Sequence, residues 1–149
     1  MPLLTDNVSQ LTRLFEERVR SAGLDPGQVF DESSEVVVFG SVAAGYDRPD
    51  SDIDVFCFAR CESTVKTDLL DLIVFPHAKR STEGWLESEL ASHIRRYGVW
   101  IKGDGTWSDR AHIGREAVAR KRRRVESFLR VLPDAWPIIW TLALSRVIA

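Results

Sequence analysis

The chain has 149 residues, of which 44% are hydrophobic, and its formal net charge is -2. This length suits one domain with a real core, and the charge gives no overall reason to expect a nucleic-acid-binding protein. The amino terminus lacks the basic start and apolar core of a signal peptide, and the apolar run 138–144 is shorter than the ~20 residues that span a bilayer. We therefore expect a cytoplasmic protein without membrane segments, in which Cys57 and Cys61 stay reduced.

The first half of the chain predicts one helix and one buried strand. Apolar residues recur at intervals of three and four through 6–22, which is typical of a helix that packs by one face. Gly23 is placed to end this helix, and the Asp-Pro-Gly sequence at 25–27 predicts a turn. The apolar run 36–39 follows, and its β-branched and aromatic residues favour a strand.

The residues after that strand predict a phosphate-binding turn. Gly40 can adopt backbone conformations that a Cβ would penalise, and it lets the backbone approach a ligand closely. Ser41 is a good N-cap for the short segment 42–44, so free backbone N–H groups would point out of the turn. In the loop beyond, Arg48 is a candidate phosphate ligand because guanidinium matches phosphate oxygens. A solvated loop arginine is the alternative.

Two aspartates open the next apolar run, 53–58. Side chains alternate along a strand, so Asp52 and Asp54 face one side while Ile53 faces the core. A third run, 69–75, contains Asp71, which is costly there without a charged or metal partner. We interpret Asp71 as a third metal carboxylate rather than as a strand-edge residue in water, with Asp68 as the fallback.

These carboxylates and the turn suit an in-line attack on the α-phosphate of a nucleoside triphosphate. Such a reaction needs two cations held ~3.5–4 Å apart, which neutralise the attacking and leaving oxygens. Asp52 and Asp54 would hold the magnesium that carries the triphosphate. Asp71 would complete the shell of the second ion and help to deprotonate the incoming hydroxyl. Gly40 and Ser41 would hold the terminal phosphates.

The connections and helices complete the predicted fold. The link 60–66 is too short for an ordinary helix, so an antiparallel connection between the second and third strands is expected. A helix is predicted at 85–97, with His93 at the surface or at a cap. An extended segment follows at 99–101. We interpret Lys102 after it as a surface lysine, with a phosphate contact as the alternative.

The C-terminal part predicts two further helices. The first begins near Asp109, carries the basic run 120–124 and breaks at Pro133, and the second covers 135–147. The basic run is either a solvated face or a docking surface for RNA or an acidic partner. The tryptophan-rich final helix has apolar surface suited to a homodimer or partner interface.

The stretch 39–55, FGSVAAGYDRPDSDIDV, resembles the signature of the polymerase-beta-like nucleotidyltransferases. In that signature, Gly-Ser is followed about ten residues later by Asp-x-Asp, and the combined motif is far more specific than either part. The strand with Asp71 and the stretch 94–103, IRRYGVWIKG, are similar to the minimal nucleotidyltransferases of prokaryotes. The resemblance covers 36–103. One departure is Ala44, where many minimal members carry an arginine that Arg48 or Lys102 would have to replace.

This resemblance implies an α+β (α/β) fold, with a small mixed or antiparallel sheet flanked by helices. Residues 1–108 would form the nucleotidyltransferase domain, and 109–149 a basic helical extension packed on that domain or on a partner. The implied reaction is magnesium-dependent transfer of a nucleoside monophosphate, AMP from ATP, to a hydroxyl of an acceptor. Members of the group are often antitoxins that attach AMP to a helical ribonuclease toxin. Others modify hydroxylated antibiotics and work as dimers.

Two alternative functions stay open at this point. One is a non-catalytic nucleotidyltransferase-fold module that neutralises a protein partner, although a retired site has no reason to keep three clustered carboxylates. The other is an RNA-directed nucleotidyltransferase that uses the run 120–124 to grip phosphates. This second alternative predicts strong salt dependence, because each neutralised phosphate releases counterions.

Overall fold

A computed structural model gives the structure of the protein. It describes residues 3–45 and 51–147, with side chains described within 7–45 and 51–131. The chain divides into two units, Met1–Ile113 and Gly114–Ala149. The first unit contains a sheet and its flanking helices, and the second contains one long helix. The division of the chain at residue 108 into a catalytic domain and an extension stays a prediction.

A five-stranded sheet lies at the centre of the first unit. Its strands, in chain order, are β1 (Glu35–Phe39), β2 (Ile53–Ala59), β3 (Ser63–Lys66), β4 (Leu70–Pro76) and β5 (Val99–Lys102). Their spatial order is β3-β4-β2-β1-β5. Strand β1 is antiparallel to both β2 and β5, β3 is antiparallel to β4, and β2 is parallel to β4. The predicted mixed sheet is therefore confirmed.

The connection between β2 and β4 differs from the prediction. The sequence pattern predicted an antiparallel connection through the polar link 60–66, and this is wrong. Part of that link forms the edge strand β3, which pairs antiparallel with β4. Because the chain reverses once before β3 and again after it, β4 runs in the same direction as β2. This double reversal puts the beginnings of β2 and β4 at the same edge of the sheet.

Five helices accompany the sheet: α1 (Leu3–Ser21), α2 (Pro26–Glu32), α3 (Gly40–Ala43), α4 (Glu83–Leu86) and α5 (Glu89–Tyr97). The α+β class is confirmed. The turn predicted at 25–27 is instead the start of α2, since the Asp25 carboxylate accepts a hydrogen bond from the Gly27 N–H at 2.8 Å. The helix predicted at 85–97 is divided between α4 and α5, because the Ser88 hydroxyl caps α5 at the Ala91 N–H, 3.0 Å away.

Both faces of the sheet are buried. On one face, β2 contributes Val55 and Cys57 to a cluster with Phe15 and Val19 of α1. The opposite face is aromatic, and the Phe56 ring stacks on Trp85 with centroids 4.7 Å apart. Burial on two faces explains why the strand sequences are almost continuously apolar rather than alternating. The polar residues at the ends of the strands are therefore the exceptions that need an explanation.

Glu35 is such an exception, at the beginning of β1. Its side chain is 2% exposed. Oε2 accepts hydrogen bonds from the indole N–H of Trp107 at 2.8 Å and of Trp100 at 3.2 Å, and Oε1 accepts one from Arg80 Nη1 at 3.1 Å. A buried carboxylate is tolerated when such donors satisfy it. Glu35 thus joins β1 to β5 and to the loop that carries Trp107.

The second unit contains the helix α6 (Arg115–Val147). The break predicted at Pro133 is wrong, because the helix continues past it. An internal proline removes its own N–H donor and disturbs one earlier carbonyl, but the remaining backbone hydrogen bonds can carry a long helix onward. The apolar side chains of Val125, Phe128 and Leu129 are 51%, 63% and 55% exposed. No helix within residues 3–45 and 51–147 combines the length and hydropathy needed to cross a bilayer.

The Glu35 network predicts a strong effect on stability. We expect Glu35→Gln to lower the free energy of unfolding by about 3 kcal/mol, because it removes a buried charge partner and turns one acceptor into a donor. Urea denaturation of the full chain measures the change. The control is Glu62→Gln, which alters an exposed pair with Lys79 at 3.5 Å and should cost less than about 1 kcal/mol. Equal, small effects of the two variants would contradict the role given to Glu35.

Candidate functional site

The register of the parallel strands puts two of the predicted carboxylates next to each other. Asp54 of β2 lies opposite Asp71 of β4, and neighbouring strands are ~4.8 Å apart. Their side chains share one face of the sheet, while Ile53 and Leu70 are fully buried on the other. Asp52, two residues before Asp54, has the same parity and is exposed. The structure therefore brings the three aspartates to one edge of the sheet.

Several charged side chains lie close enough to Asp54 to shift its pKa. Partial burial raises the pKa of the Asp54 carboxyl above its ordinary value, and the charges of Asp52 and Asp71 raise it further. Lys66 and His93 act in the opposite direction. Like charges disfavour ionisation and nearby cations favour it. The charges of Asp52 and Asp71 therefore act on Asp54, and nearby positive charge favours the ionised form of this carboxyl.

Lys66 supplies part of that charge. It is the last residue of β3 and lies opposite Asp71 in the strand register. Its Nζ is 2.6 Å from Asp71 Oδ2, and this hydrogen bond, followed by the charge of Asp71, raises the lysine pKa. Sequence reasoning missed Lys66 because its position depends on β3, a strand that the polar link did not predict.

His93 also lies near the carboxylates. It is an exposed residue of α5, as predicted, with its ring 5.0 Å from Tyr97 and edge-to-face against Phe39 at 6.0 Å. Phe39 directly precedes Gly40 and pairs with Asp54 in the β1–β2 register. His93 is therefore a surface residue at the rim of the site, where its charge, when present, lowers the pKa of Asp54.

The Gly-Ser turn lies directly against Asp54. Gly40 has φ +76°, and a Cβ at this position would overlap Oδ2 of Asp54 and lie 3.0 Å from its Cγ. Only glycine combines this backbone conformation with this approach. Ser41 is exposed within the first turn of α3. The prediction that Ser41 is the N-cap is wrong, because Phe39 holds that position, and no side chain caps the helix.

Arg48 and Lys102 were the two cationic side chains considered as phosphate contacts. Arg48 lies outside the described residues. Lys102 lies opposite Val36 on β5, toward the other end of β1 from Gly40. Its ammonium donates a hydrogen bond to the Phe30 carbonyl. The structure therefore does not bring Lys102 to the carboxylates. Its side chain lies partly buried at the surface of the protein. Ala44, the C-cap of α3, is exposed.

The donor set can be compared with what magnesium requires. Within the described ranges, 3–45 and 51–147, no group of three His, Cys, Asp or Glu side chains is arranged to hold a metal ion. Magnesium, however, is usually bound by one or two carboxylates together with waters and substrate phosphates, not by an all-protein cage. Three aspartates beside an ammonium group and an open glycine turn fit a hard cation that shares its ligands with a phosphate chain.

Comparison with known families identifies the class of the protein. The family model of the nucleotidyltransferase domain matches residues 27–139, which is more than half of the chain. The chain belongs to the nucleotidyltransferase domain family. The matched segment includes the Gly40 turn, the three aspartates and the whole sheet. The polymerase-beta-like resemblance is therefore confirmed, and this nucleotidyltransferase is an enzyme of the class that its motif indicated.

The solved structures that match the chain are distant from it in sequence. A crystal structure of a toxin–antitoxin with AMP-PNP is 15% identical, with a TM-score of 0.39, and the match covers 89% of this chain and 98% of that one. The toxin–antitoxin MntA-HepT matches at 14% identity over 93% and 98%, with a TM-score of 0.32. A tri-AMPylated Shewanella oneidensis HEPN toxin in complex with MNT antitoxin matches at 14% over 94% and 98%, with a TM-score of 0.33. None of the curated proteins matches the chain.

The contact between Gly40 and Asp54 can be tested with a matched pair of glycines. Gly40 and Gly45 have nearly equal positive φ, +76° and +74°, but no atom of the described residues lies within 4 Å of a Cβ added at Gly45. We expect alanine at either position to cost about 1–2 kcal/mol of stability through backbone strain. Only Gly40→Ala also displaces Asp54, and a shift of about 1 Å can lower activity a hundredfold. Urea denaturation and nucleotidyl-transfer rates measure the two effects. Equal rates in the two variants would show that the contact has no catalytic importance.

Proposed function

We propose that the protein is a magnesium-dependent nucleotidyltransferase that moves AMP from ATP to a hydroxyl group of an acceptor. The observation that carries the proposal is the register of Asp54 with Asp71 beside the Gly40 turn. This register supports a site in which carboxylates and a close backbone approach serve the same triphosphate. The likeness of the motif to the minimal nucleotidyltransferases supports AMP as the transferred group. Free thiols at Cys57 and Cys61 are consistent with a cytoplasmic location.

Each part of the site has a separate task in this proposal. Asp52, Asp54 and Asp71 would hold two Mg²⁺ ions. Gly40 and Ser41 would contact the terminal phosphates, since the first N–H groups of a helical turn have no acceptor within it. When bound, magnesium neutralises the charge that develops on the attacking and leaving oxygens. Because Gly40 has no side chain, the backbone of this turn would be open to the phosphates.

The proposed chemistry is a substitution at the α-phosphorus. The acceptor oxygen forms a bond to this phosphorus, and the bond from the phosphorus to the oxygen that bridges to the β-phosphate breaks. The acceptor becomes an AMP ester, and pyrophosphate leaves with the bonding electron pair. Asp71 takes up the hydroxyl proton.

A protein is the acceptor that we propose, with the chain as the antitoxin of a toxin–antitoxin pair. The exposed side chains of α6 support a protein partner, because apolar residues such as Val125 and Phe128 follow a basic run at 120–124. Two members of that run, Arg120 and Arg122, pair with Glu116 and Glu126 at 3.7 and 2.9 Å. These intrahelical pairs reduce the charge available to RNA phosphates, whereas the exposed apolar side chains suit contact with a protein.

Labelled ATP tests the proposed transfer. With magnesium and a candidate acceptor, label from the α-phosphate should enter the acceptor, whereas label from the γ-phosphate should leave as pyrophosphate. We expect Asp52→Asn, Asp54→Asn and Asp71→Asn each to lower the rate at least about a hundredfold, because each would remove a charged ligand of the magnesium that neutralises the reacting phosphates. Asp68→Asn, which changes an exposed carboxylate just before β4, should keep the wild-type rate.

The proposal fails if no nucleotide transfers label and Asp52→Asn is indistinguishable from the wild type. Transfer of the γ-label to the acceptor would instead identify a kinase. A partner that binds equally well with asparagine at all three positions, without any labelling, would favour a non-catalytic binding module.

Recognition of the acceptor by α6 can be tested separately from the chemical step. We expect the double variant Arg123→Gln, Arg124→Gln to raise the KM for a protein acceptor several-fold while kcat changes little, because surface charges act mainly on encounter. Arg13→Gln, an exposed arginine of α1, is the control and should leave both constants unchanged. A KM equal to that of the wild type would exclude the basic run from acceptor binding. A steep loss of acceptor affinity with salt, together with labelled RNA as product, would point to RNA.

A further inference from the structure

The pairing of Lys66 with Asp71 has a consequence for how metal ions would enter the site. The two residues face each other across the β3–β4 ladder, and Nζ lies 2.6 Å from Oδ2. Ion pairs on a sheet are stabilised when opposite charges lie directly across from each other. The strand pairing therefore places an ammonium at the carboxylate that would otherwise be open to a divalent cation.

The three aspartates differ in whether they form an ion pair. Within residues 51–131, Asp71 is the member of the set that forms an ion pair. Asp52 is exposed, and Asp54 is partly buried. A divalent cation binds more readily to carboxylates that are not already in an ion pair. A first ion is therefore favoured on the Asp52 and Asp54 side of the site.

Lys66 is also free to leave. Its side chain is 72% exposed, whereas that of Asp71 is 20% exposed. Its long aliphatic stem lets the ammonium move to another anion, such as a phosphate oxygen, without loss of core packing. An exposed ion pair of this kind is modest in strength, so a divalent cation can displace it.

We infer that Lys66 competes with a divalent cation for Asp71, so that the site takes its two ions in order. The first ion binds at Asp52 and Asp54, and the second binds at Asp71 after Lys66 has moved away. An arriving triphosphate would favour the second step, because it offers Lys66 a new anionic partner. This inference rests on the proposed metal-dependent function and adds a regulatory role for a residue of the edge strand.

Manganese binding tests the order without any measurement of activity. The full chain is titrated with Mn²⁺ in the absence of nucleotide, and free Mn²⁺ is followed by electron paramagnetic resonance. We expect the wild type to show one tight and one weaker site. Lys66→Met should tighten the weaker site by about three- to fivefold, the scale of an exposed ion pair, and so narrow the ratio of the two dissociation constants.

Two further variants control for charge and for surface position. Lys66→Arg keeps a cation that pairs with a carboxylate, so its two constants should match those of the wild type. Lys79→Met removes a lysine that pairs with Glu62 at 3.5 Å beyond the far end of β4, and it should also match the wild type.

The inference is overturned if Lys66→Met leaves the ratio of the two Mn²⁺ dissociation constants unchanged or increases it. The same holds if Lys66→Met lowers both dissociation constants by the same factor. It is also overturned if Lys66→Arg behaves like Lys66→Met. If the tight site is present in the wild type and absent in Asp52→Asn, but the dissociation constant of the weaker site is the same in Lys66→Met as in the wild type, the metal-dependent function stands and only the competition fails. A wild type that binds no Mn²⁺ contradicts the inference, and the labelled-ATP assay then decides the metal-dependent function separately.

Discussion

In the parallel pair of β2 and β4, Asp54 lies opposite Asp71, and two carboxylates on neighbouring strands repel each other unless positive charge is close. Burial sharpens this repulsion, and the raised pKa of Asp54 reflects both effects. Lys66 relieves part of it from the adjacent edge strand. The remaining negative charge would attract cations, which the proposed nucleotidyl transfer needs to neutralise phosphate oxygens.

The rest of the first unit holds that edge in place. The apolar faces of β2 pack on α1 on one side and on an aromatic cluster on the other, so the strand cannot slip without exposing one of them. Gly40 lets the chain turn directly against Asp54 at one end of β1. At the other end, Glu35 binds Trp100 and Trp107 and anchors β5. The site thus rests on strand register more than on loop conformation.

Several predictions from sequence were confirmed for a common reason: they depend on local pattern. The buried runs that became β1, β2 and β4, the amphipathic helix α1 and the parity of Asp52 and Asp54 all follow from side-chain periodicity. The errors concern partners that lie far away in the sequence. The connection to β4 was wrong because β3 is polar and short. The contact of Lys102 with the Phe30 carbonyl was not predicted because this acceptor is on α2.

By itself, the sequence determined the chemical class of this protein, because the spacing of Gly40 and Ser41 from Asp52 and Asp54 encodes a turn and a carboxylate pair within one short segment. It also indicated Asp71, since an aspartate inside an apolar strand needs a partner. Only the tertiary structure decided what that partner is. Lys66 meets Asp71 because β3 folds back along β4, and such pairing depends on strand register, which no local pattern in a polar link specifies.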